Sequence, residues 1–263
     1  MNRTIEARAT KGLLLDPLVA GPLFRFDRAT SFTVQLAAGG LRSVSEAELL
    51  GGINAAAVGD AASGWEIIQF ATATLVGTRT YRVSGLLRGQ SGSEPEMLAL
   101  RPAGSNFVLL NTAVVQPVLP LSDAGLTLTW KIGPAQYDIG PRYATIIQAG
   151  KMLGLRPLQP GHLRAAASGG DVVISWIRRT RIDGDSWDIA EVSLGEEREA
   201  YALDILDGPS VKRSLTLDVP SYRYSAANIA ADFGTMPATL SLRVAQISTT
   251  FGRGANLLRT INV

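Results

Sequence analysis

From residue 162 onward the sequence breaks into short apolar-rich runs, each closed by a turn, and this spacing restricts the fold more than any other feature. The runs are HLRAAA (162–167), DVVISWIRR (171–179), EAYALDIL (199–206), VKRSLTLDV (211–219), TLSLRVAQIS (239–248) and NLLRTINV (256–263). Gly169-Gly170-Asp171 supplies the first turn. Six or seven strands of this length within about 100 residues predict a β-sandwich. The long gap at 180–198 then reads as an insertion between the second and third strands.

The first half also reads as β, in a less regular pattern. FTVQLAAGG (32–40) alternates Phe32, Val34 and Leu36 on one face. WEIIQFATATLVG (65–77) and TRTYRVSGLLRG (78–89) predict a hairpin turning near Gly77-Thr78, and NFVLLN (106–111) predicts a buried strand. GLTLTWKIG (125–133) sets Leu126, Leu128, Trp130 and Ile132 against Thr127, Thr129 and Lys131. SEAELL (45–50) predicts a short helix capped by Ser45 with Glu48 at the capping-box position, stopped by Gly51-Gly52. GKMLGLRPLQPG (150–161) carries two prolines and joins the two patterns as a linker. The predicted class is therefore all-β. An irregular β-rich domain spans 1–154 and a sandwich spans 158–263.

Composition narrows the chemistry. Hydrophobic residues make up 46% of the 263, enough for a sizeable core. The net charge of +2 gives no basic footprint for nucleic acid, so no sequence readout is expected. Of 25 basic residues only Lys11, Lys131, Lys151 and Lys212 are lysines; the rest are arginine, a residue suited to interfaces but also to a GC-rich genome. The absence of cysteine excludes thiolate nucleophiles, disulfides and Cys-based zinc sites. No run of about 18 apolar residues predicts a membrane span. The apolar stretch GLLLDPLVAGPLF (12–24) is broken by Asp16, Pro17 and Pro22 and does not read as a signal peptide.

The stretch YRVSGLLRGQSGSE (81–94) places Ser91 among glycines after a strand, as a nucleophile elbow would. An elbow needs Gly-x-Ser-x-Gly, and Ser93 occupies the second glycine position. A serine nucleophile also needs a base, and the one histidine, His162, lies beside the linker. The stretch therefore predicts a strand exit in which Gly89 and Gly92 take positive φ. Phosphate-loop and dinucleotide patterns fail around Gly150-Lys151 and Gly252-Arg-Gly254. No catalytic residue, cofactor or metal site is expected. The acidic run DGDSWDIAE (183–191) lacks the central glycine and terminal glutamate of an EF-hand, so a solvated loop is favoured over calcium.

Trp65, Trp130 and Trp176 lie in strand patterns and predict core packing, whereas Trp187 lies in a charged loop as a plug or a contact. Candidate protein-contact residues are Arg88, Gln90 and Glu94 at the Gly-rich turn, and Arg178, Arg179, Arg181 and Trp187 in the insertion. The arginines of the insertion face an acidic stretch, and pairing with Glu196, Glu197 or Glu199 inside one domain is slightly favoured over an external partner.

The second half resembles a fibronectin type III domain. Trp176 in VVISW stands where that family places its strand-B tryptophan, Tyr201 in EAYALDI matches the strand-C aromatic, and LRVAQISTTFGRG (242–254) is similar to the end of strand F and its turn. Leu240 occupies the tyrosine-corner position, a departure from the family. GINAAAVGD, the 65–94 stretch and SWIRRTRIDGDSWDIAEVSLGEEREAYALDI resemble the C-terminal part of the large tail-tip, or megatron, protein of gene transfer agents and siphophage-like tails. That resemblance implies a structural component of a phage-like tail tip or baseplate. It would be made in the bacterial cytoplasm and carried on the virion or particle. Its partners would be other tail and baseplate proteins, with homotrimerisation through upstream hub domains. This chain would then be a C-terminal fragment or a separately encoded part. The alternative is a receptor-binding module for host cell-surface polysaccharide. A cell-wall hydrolase is a third possibility, without a motif in its favour.

Overall fold

The computed structural model describes residues 3–184 and 192–263. The chain is mostly β and divides into two compact units, Met1–Lys151 and Met152–Val263.

The first unit holds β1 (Lys11–Leu14), β2 (Leu18–Val19), β3 (Asp27–Leu36), α1 (Glu46–Leu50), β4 (Ala55–Asp60), β5 (Gly64–Gly77), β6 (Thr80–Gln90), β7 (Leu100–Arg101), β8 (Asn106–Leu109), β9 (Thr127–Ile132) and β10 (Ala144–Ala149). Six of these strands form a closed antiparallel barrel in the order β1-β3-β6-β5-β4-β8. Closure is made where Lys11, Gly12 and Leu13 lie opposite Val108, Phe107 and Asn106. Gly12 is needed there because a Cβ would sit 2.2 Å from the Gln35 carbonyl oxygen.

The barrel interior follows the period of two. Phe32, Val34 and Leu36 of β3 are buried, as their alternation predicts, and meet Ile68, Phe70, Val83, Leu86 and Phe107. The Phe107 ring lies 6.4 Å from Phe32 and 6.2 Å from Phe70, both tilted. Each such burial contributes roughly 1.5–3 kcal/mol, an upper value because unfolded chains already hide some surface. The helix α1 has the full capping box: Ser45 Oγ accepts from Glu48 N, and the Glu48 carboxylate accepts from Ser45 N. Its one buried residue, Leu49, ties it to the barrel wall, where Gln69 Nε2 donates to Leu49 O at 2.6 Å.

The second unit holds β11 (Gly161–Ser168), β12 (Asp171–Ile177), β13 (Tyr201–Asp207), β14 (Ser210–Leu217), β15 (Ser221–Tyr224), α2 (Ala226–Phe233), β16 (Thr239–Ser248), β17 (Gly252–Arg253) and β18 (Leu257–Asn262). One sheet runs β11-β12-β15. The other runs β14-β13-β16, with β17 and β18 both pairing to β16. One core joins the two sheets: Leu163, Val172, Ile174, Trp176 and Tyr224 meet Tyr201, Leu203, Ile205, Leu240, Leu242 and Val244. Two sheets packed over one core make this unit a sandwich. Trp176 packs edge-on against Tyr201 with ring centroids 5.2 Å apart. Leu240, the departure from the fibronectin pattern in the sequence, is fully buried in this core. Tyrosine hydroxyls anchor elsewhere: Tyr201 donates to Glu199 at 2.6 Å and Tyr224 to Asp232 at 2.8 Å. β15 and α2 have no counterpart in the sequence-based expectation.

Candidate functional site

Ser91 sits in the turn that ends β6. Its φ is 55°, between Gly89 at 58° and Gly92 at 76°. The expected strand exit is therefore present. His162 belongs to the second unit, at the bulge that opens β11.

The inward rows of β5 and β6 end in charge rather than in more hydrophobes. Glu66 continues the row Ile68–Phe70, and Arg88 continues the row from Leu86. Arg88 Nε and Nη2 donate to the two oxygens of Glu66 at 2.7 and 3.0 Å, a bidentate fork. Arg88 Nη1 donates to Val19 O at 2.8 Å and stands 3.8 Å from Asp27 Oδ2. Glu66 Oε1 also accepts from Gly89 N at 3.2 Å. Glu66, Arg88 and Asp27 are 0, 1 and 2% exposed. Nearby, Arg101 of β7 is equally buried and donates to Ser63 Oγ and Glu96 O at 3.1 and 2.7 Å. Burial pulls the Arg101 pKa below its usual value, against the opposing pull of Glu66 and Asp60.

These contacts correct one sequence expectation. Arg88 and Glu94 were expected to meet a partner protein; both are inside the barrel unit, at 1 and 5% exposure. Gln90 is half-buried and turns its Nε2 back to Arg88 O at 2.9 Å. The glycines that suggested a surface turn instead let the chain fold over a buried cation. Gly89 has no room for a side chain: a Cβ would lie 2.8 Å from Leu23 Cδ2 and 3.1 Å from Glu94 Cα. With all its members enclosed, the cluster offers no group to a substrate. What it can do is lock β5, β6, β2 and the start of β3 together.

In the insertion, Arg181 Nε pairs with Glu196 at 3.0 Å, the internal pairing that was favoured. Arg178 donates to the carbonyls of Ser193 and Val192, and Arg179 Nη1 to that of Gln159 at 3.3 Å. The Arg179 backbone and the Gln246 side chain exchange two bonds, at 2.9 and 2.8 Å. Glu197 reaches across to the turn after β16. It accepts from Thr250 Oγ1, from the backbone N of Thr249 and Thr250 at 3.0 and 3.1 Å, and from Ser248 Oγ. These bonds, Thr250 foremost, hold the Glu197 carboxyl down at about 2. Trp187 and the acidic positions Asp185, Asp188 and Glu191 lie outside the described residues. Among the described residues no group of three or more His, Asp or Glu side chains could hold a metal ion.

Two tryptophans expected in the core are not there. Trp65 takes the outer face of β5 at 36% exposure, because its neighbour Glu66 takes the inner one. Trp130 is half-buried in the β9–β10 hairpin, which forms a separate two-stranded sheet. Ile146 lies opposite Trp130 and Ala144 opposite Ile132. One face of the hairpin thus carries Leu128, Trp130, Ile132, Ala144 and Ile146 with Gln148 at its end, and the other Thr127, Thr129, Lys131, Thr145, Ile147 and Ala149. No residue from 110 to 151 is buried; Leu126, Ile132, Ile146 and Ile147 are 52, 48, 44 and 68% exposed. The loop joining β9 to β10 is nonetheless fixed. Tyr143 packs flat on Gly133, its hydroxyl lies 2.9 Å from the carbonyls of Pro134 and Tyr137, and Arg142 stacks 4.1 Å over the Tyr137 ring. Ile139 projects from it at 71% exposure.

Taken together, these features define an all-β chain of a barrel and a sandwich, with its charged cluster enclosed and an apolar hairpin uncovered. A family model described as "Rcc01698-like, C-terminal" matches residues 9–108, which runs from just before β1 into β8 and so takes in the barrel. No curated protein matches. Among solved structures, the chain is similar to domains d3–d4 of the rat CD45 extracellular region (10% identity, TM-score 0.31), covering 59% of this chain and 70% of that one. It is similar to the spore cortex lytic enzyme SleM of Clostridium perfringens (9%, 0.28), covering 51% of this chain and 38% of the enzyme. It is also similar to a β-1,2-glucanase from Parabacteroides distasonis (14%, 0.27), covering 92% of this chain and 28% of the enzyme. The chain thus spans well under half the length of either enzyme, and likenesses this weak carry nothing about activity. Among the described residues no helix is long and apolar enough to cross a membrane.

Proposed function

We propose that the chain is a structural component of a phage-like tail tip or baseplate, of the gene transfer agent or prophage kind, acting by assembly rather than by catalysis. Its partners are other tail and baseplate proteins, with trimerisation supplied by an upstream part of the full-length protein, and its place is the distal end of the particle. The family match over the barrel and the sequence resemblance over most of the chain support this reading.

The observation that carries it is the uncovered β9–β10 hairpin. An isolated two-stranded hairpin is marginal in water, because it buries too little apolar surface to offset its ordering. This one keeps a preformed loop and an apolar face with no charged side chain on it. Among the described residues neither outer edge of the hairpin is paired, and open apolar edges pair with other chains. Tyrosine and arginine at the tip, beside an exposed isoleucine, match the composition of protein interfaces. A polysaccharide grip fits this face less well, since Trp130 lies between Leu128 and Ile132 and opposite Ile146, and Gln148 is the one polar side chain on that face.

A map of the particle's distal end with this chain traced in it is the direct test, and residues 126–147 should lie against a neighbouring protein there. Ile132→Asp with Ile146→Asp should leave the purified chain folded but strip it from particles or abolish their delivery of DNA. Particles that assemble and deliver normally with that variant, or a map with the hairpin in solvent, refute the proposal.

A further inference from the structure

The sandwich also carries a groove between β11 and β18. Each is the outer strand of its sheet, since among the described residues β11 pairs with β12 alone and β18 with β16 alone. The two approach without hydrogen bonding to each other, so each keeps an unpaired row of backbone N–H and C=O groups. The groove is lined by Leu163, Arg164, Ala165, Arg259, Ile261 and neighbouring polar positions, with no acidic residue among them.

Arg259 breaks the pattern of its strand. Leu257, Ile261 and Val263 pack on the sandwich core, and Arg259 belongs to the same alternating row, opposite the fully buried Leu242. A core-facing position in a sandwich calls for an apolar side chain. Arg259 instead emerges exposed into the groove, and Arg164 stands exposed on the other wall. Neither arginine has a hydrogen bond or carboxylate partner among the described residues. Arg88, Arg181, Arg213, Arg223, Arg243 and Arg253 are each paired within their own unit, whereas Arg25, Arg82 and Arg198 also lack a partner among the described residues, so it is the place beside two strand edges that singles out Arg164 and Arg259. Two unpaired cations beside two open strand edges and small alanine side chains form a place for an added strand with negative charge.

The geometry points to a docking groove for an extended acidic peptide segment of a partner protein, which adds as a strand to the β11 or β18 edge and sets carboxylates against Arg164 and Arg259. Main-chain bonds to the open edge supply affinity, and the two arginines select the sign of charge. The site is independent of the hairpin and of the tail-tip proposal.

The test uses the full chain and two fluorescein-labelled eight-residue peptides, one alternating Glu and Val and one alternating Lys and Val. Fluorescence anisotropy should show saturable binding of the glutamate peptide and none of the lysine peptide. Amide resonances of β11 and β18 should be the ones that shift. Arg164→Glu, at an exposed position where folding is not at stake, should weaken the glutamate peptide by about tenfold, and Arg164→Glu with Arg259→Glu should invert the preference. No saturable binding of the glutamate peptide overturns the proposal. So does equal binding by the charge-reversed chain, or equal competition by a sulfated polysaccharide, which would show a non-specific anion attraction. If Arg259→Val causes aggregation while no peptide binds, Arg259 only guards an edge against pairing, and the proposal falls as well.

Discussion

Replacing Arg88 by methionine should destabilise the barrel as much as the largest truncations of its hydrophobic residues. Arg88 makes two charge-assisted bonds to Glu66 and one to Val19 O, with Asp27 also near. Methionine fills much of the volume, so the loss is mainly electrostatic. It strands a carboxylate of 0% exposure and another of 2% in a low-dielectric interior. Breaking a buried pair in this way costs about 3–5 kcal/mol. For a unit of this size, roughly 2–4 °C per kcal/mol translates that into a fall of about 6–20 °C in the barrel transition. Differential scanning calorimetry reads it directly, with the sandwich transition as an internal reference. Removing both partners tests the mechanism. Arg88→Met with Glu66→Met leaves no orphaned glutamate, so the double variant should recover about 2 kcal/mol relative to Arg88→Met. The reasoning is refuted if Arg88→Met costs less than about 1 kcal/mol, or if the double variant is no more stable than the single one. Either result would mean that water reaches the cluster or that the neighbouring backbone relaxes around the vacated charge.

In the sandwich, Trp176→Ala should cost about 3–5 kcal/mol by opening a cavity beside Tyr201. The indole N–H has no hydrogen-bond partner among the described residues, so Trp176→Phe should cost less than half as much; equal losses in urea unfolding would show that a polar contact matters. Glu197 gives a pH prediction. Its folded pKa is held near 2, below the ordinary carboxylate value near 4.5, so its contribution is complete above the ordinary value and is lost as pH falls from there toward 2. Glu197→Gln should therefore flatten that part of the stability–pH curve, and an unchanged acid limb in thermal melts from pH 5 to pH 2 would refute the assignment.

Much of this molecule could be read from its sequence wherever local pattern and burial coincide. β16 takes the bounds that TLSLRVAQIS suggests, because a central strand alternates cleanly against the core on one side. Ser45 and Glu48 announced their helix through a local exchange of bonds that needs no tertiary support. β15 was invisible because SYRY is four residues long with an arginine inside it. Its helix neighbour α2 carries a signal that could have been used: Ser225 as N-cap, its Oγ accepting from Asn228 N three residues on, and Gly234 at the end. Barrel closure was not legible, since nothing in KGLL names NFVL as its partner. The buried cluster was missed for a different reason. Arg88 and Glu66 look like surface residues until the register of β5 and β6 turns both inward. Trp130 shows the converse: alternation reveals that a strand has an apolar face, but not whether anything lies on it.

Closing the barrel through β1 and β8 also has a consequence for how the protein is made. β1 is synthesised before every other strand of the barrel, yet the strand opposite Lys11, Gly12 and Leu13 is complete only once residue 108 is reached. Until then β4 also lacks its second neighbour, because it too borders β8. Throughout that interval the nascent chain holds unmatched strand edges, and a premature stop anywhere before β8 leaves an open sheet in place of a cylinder.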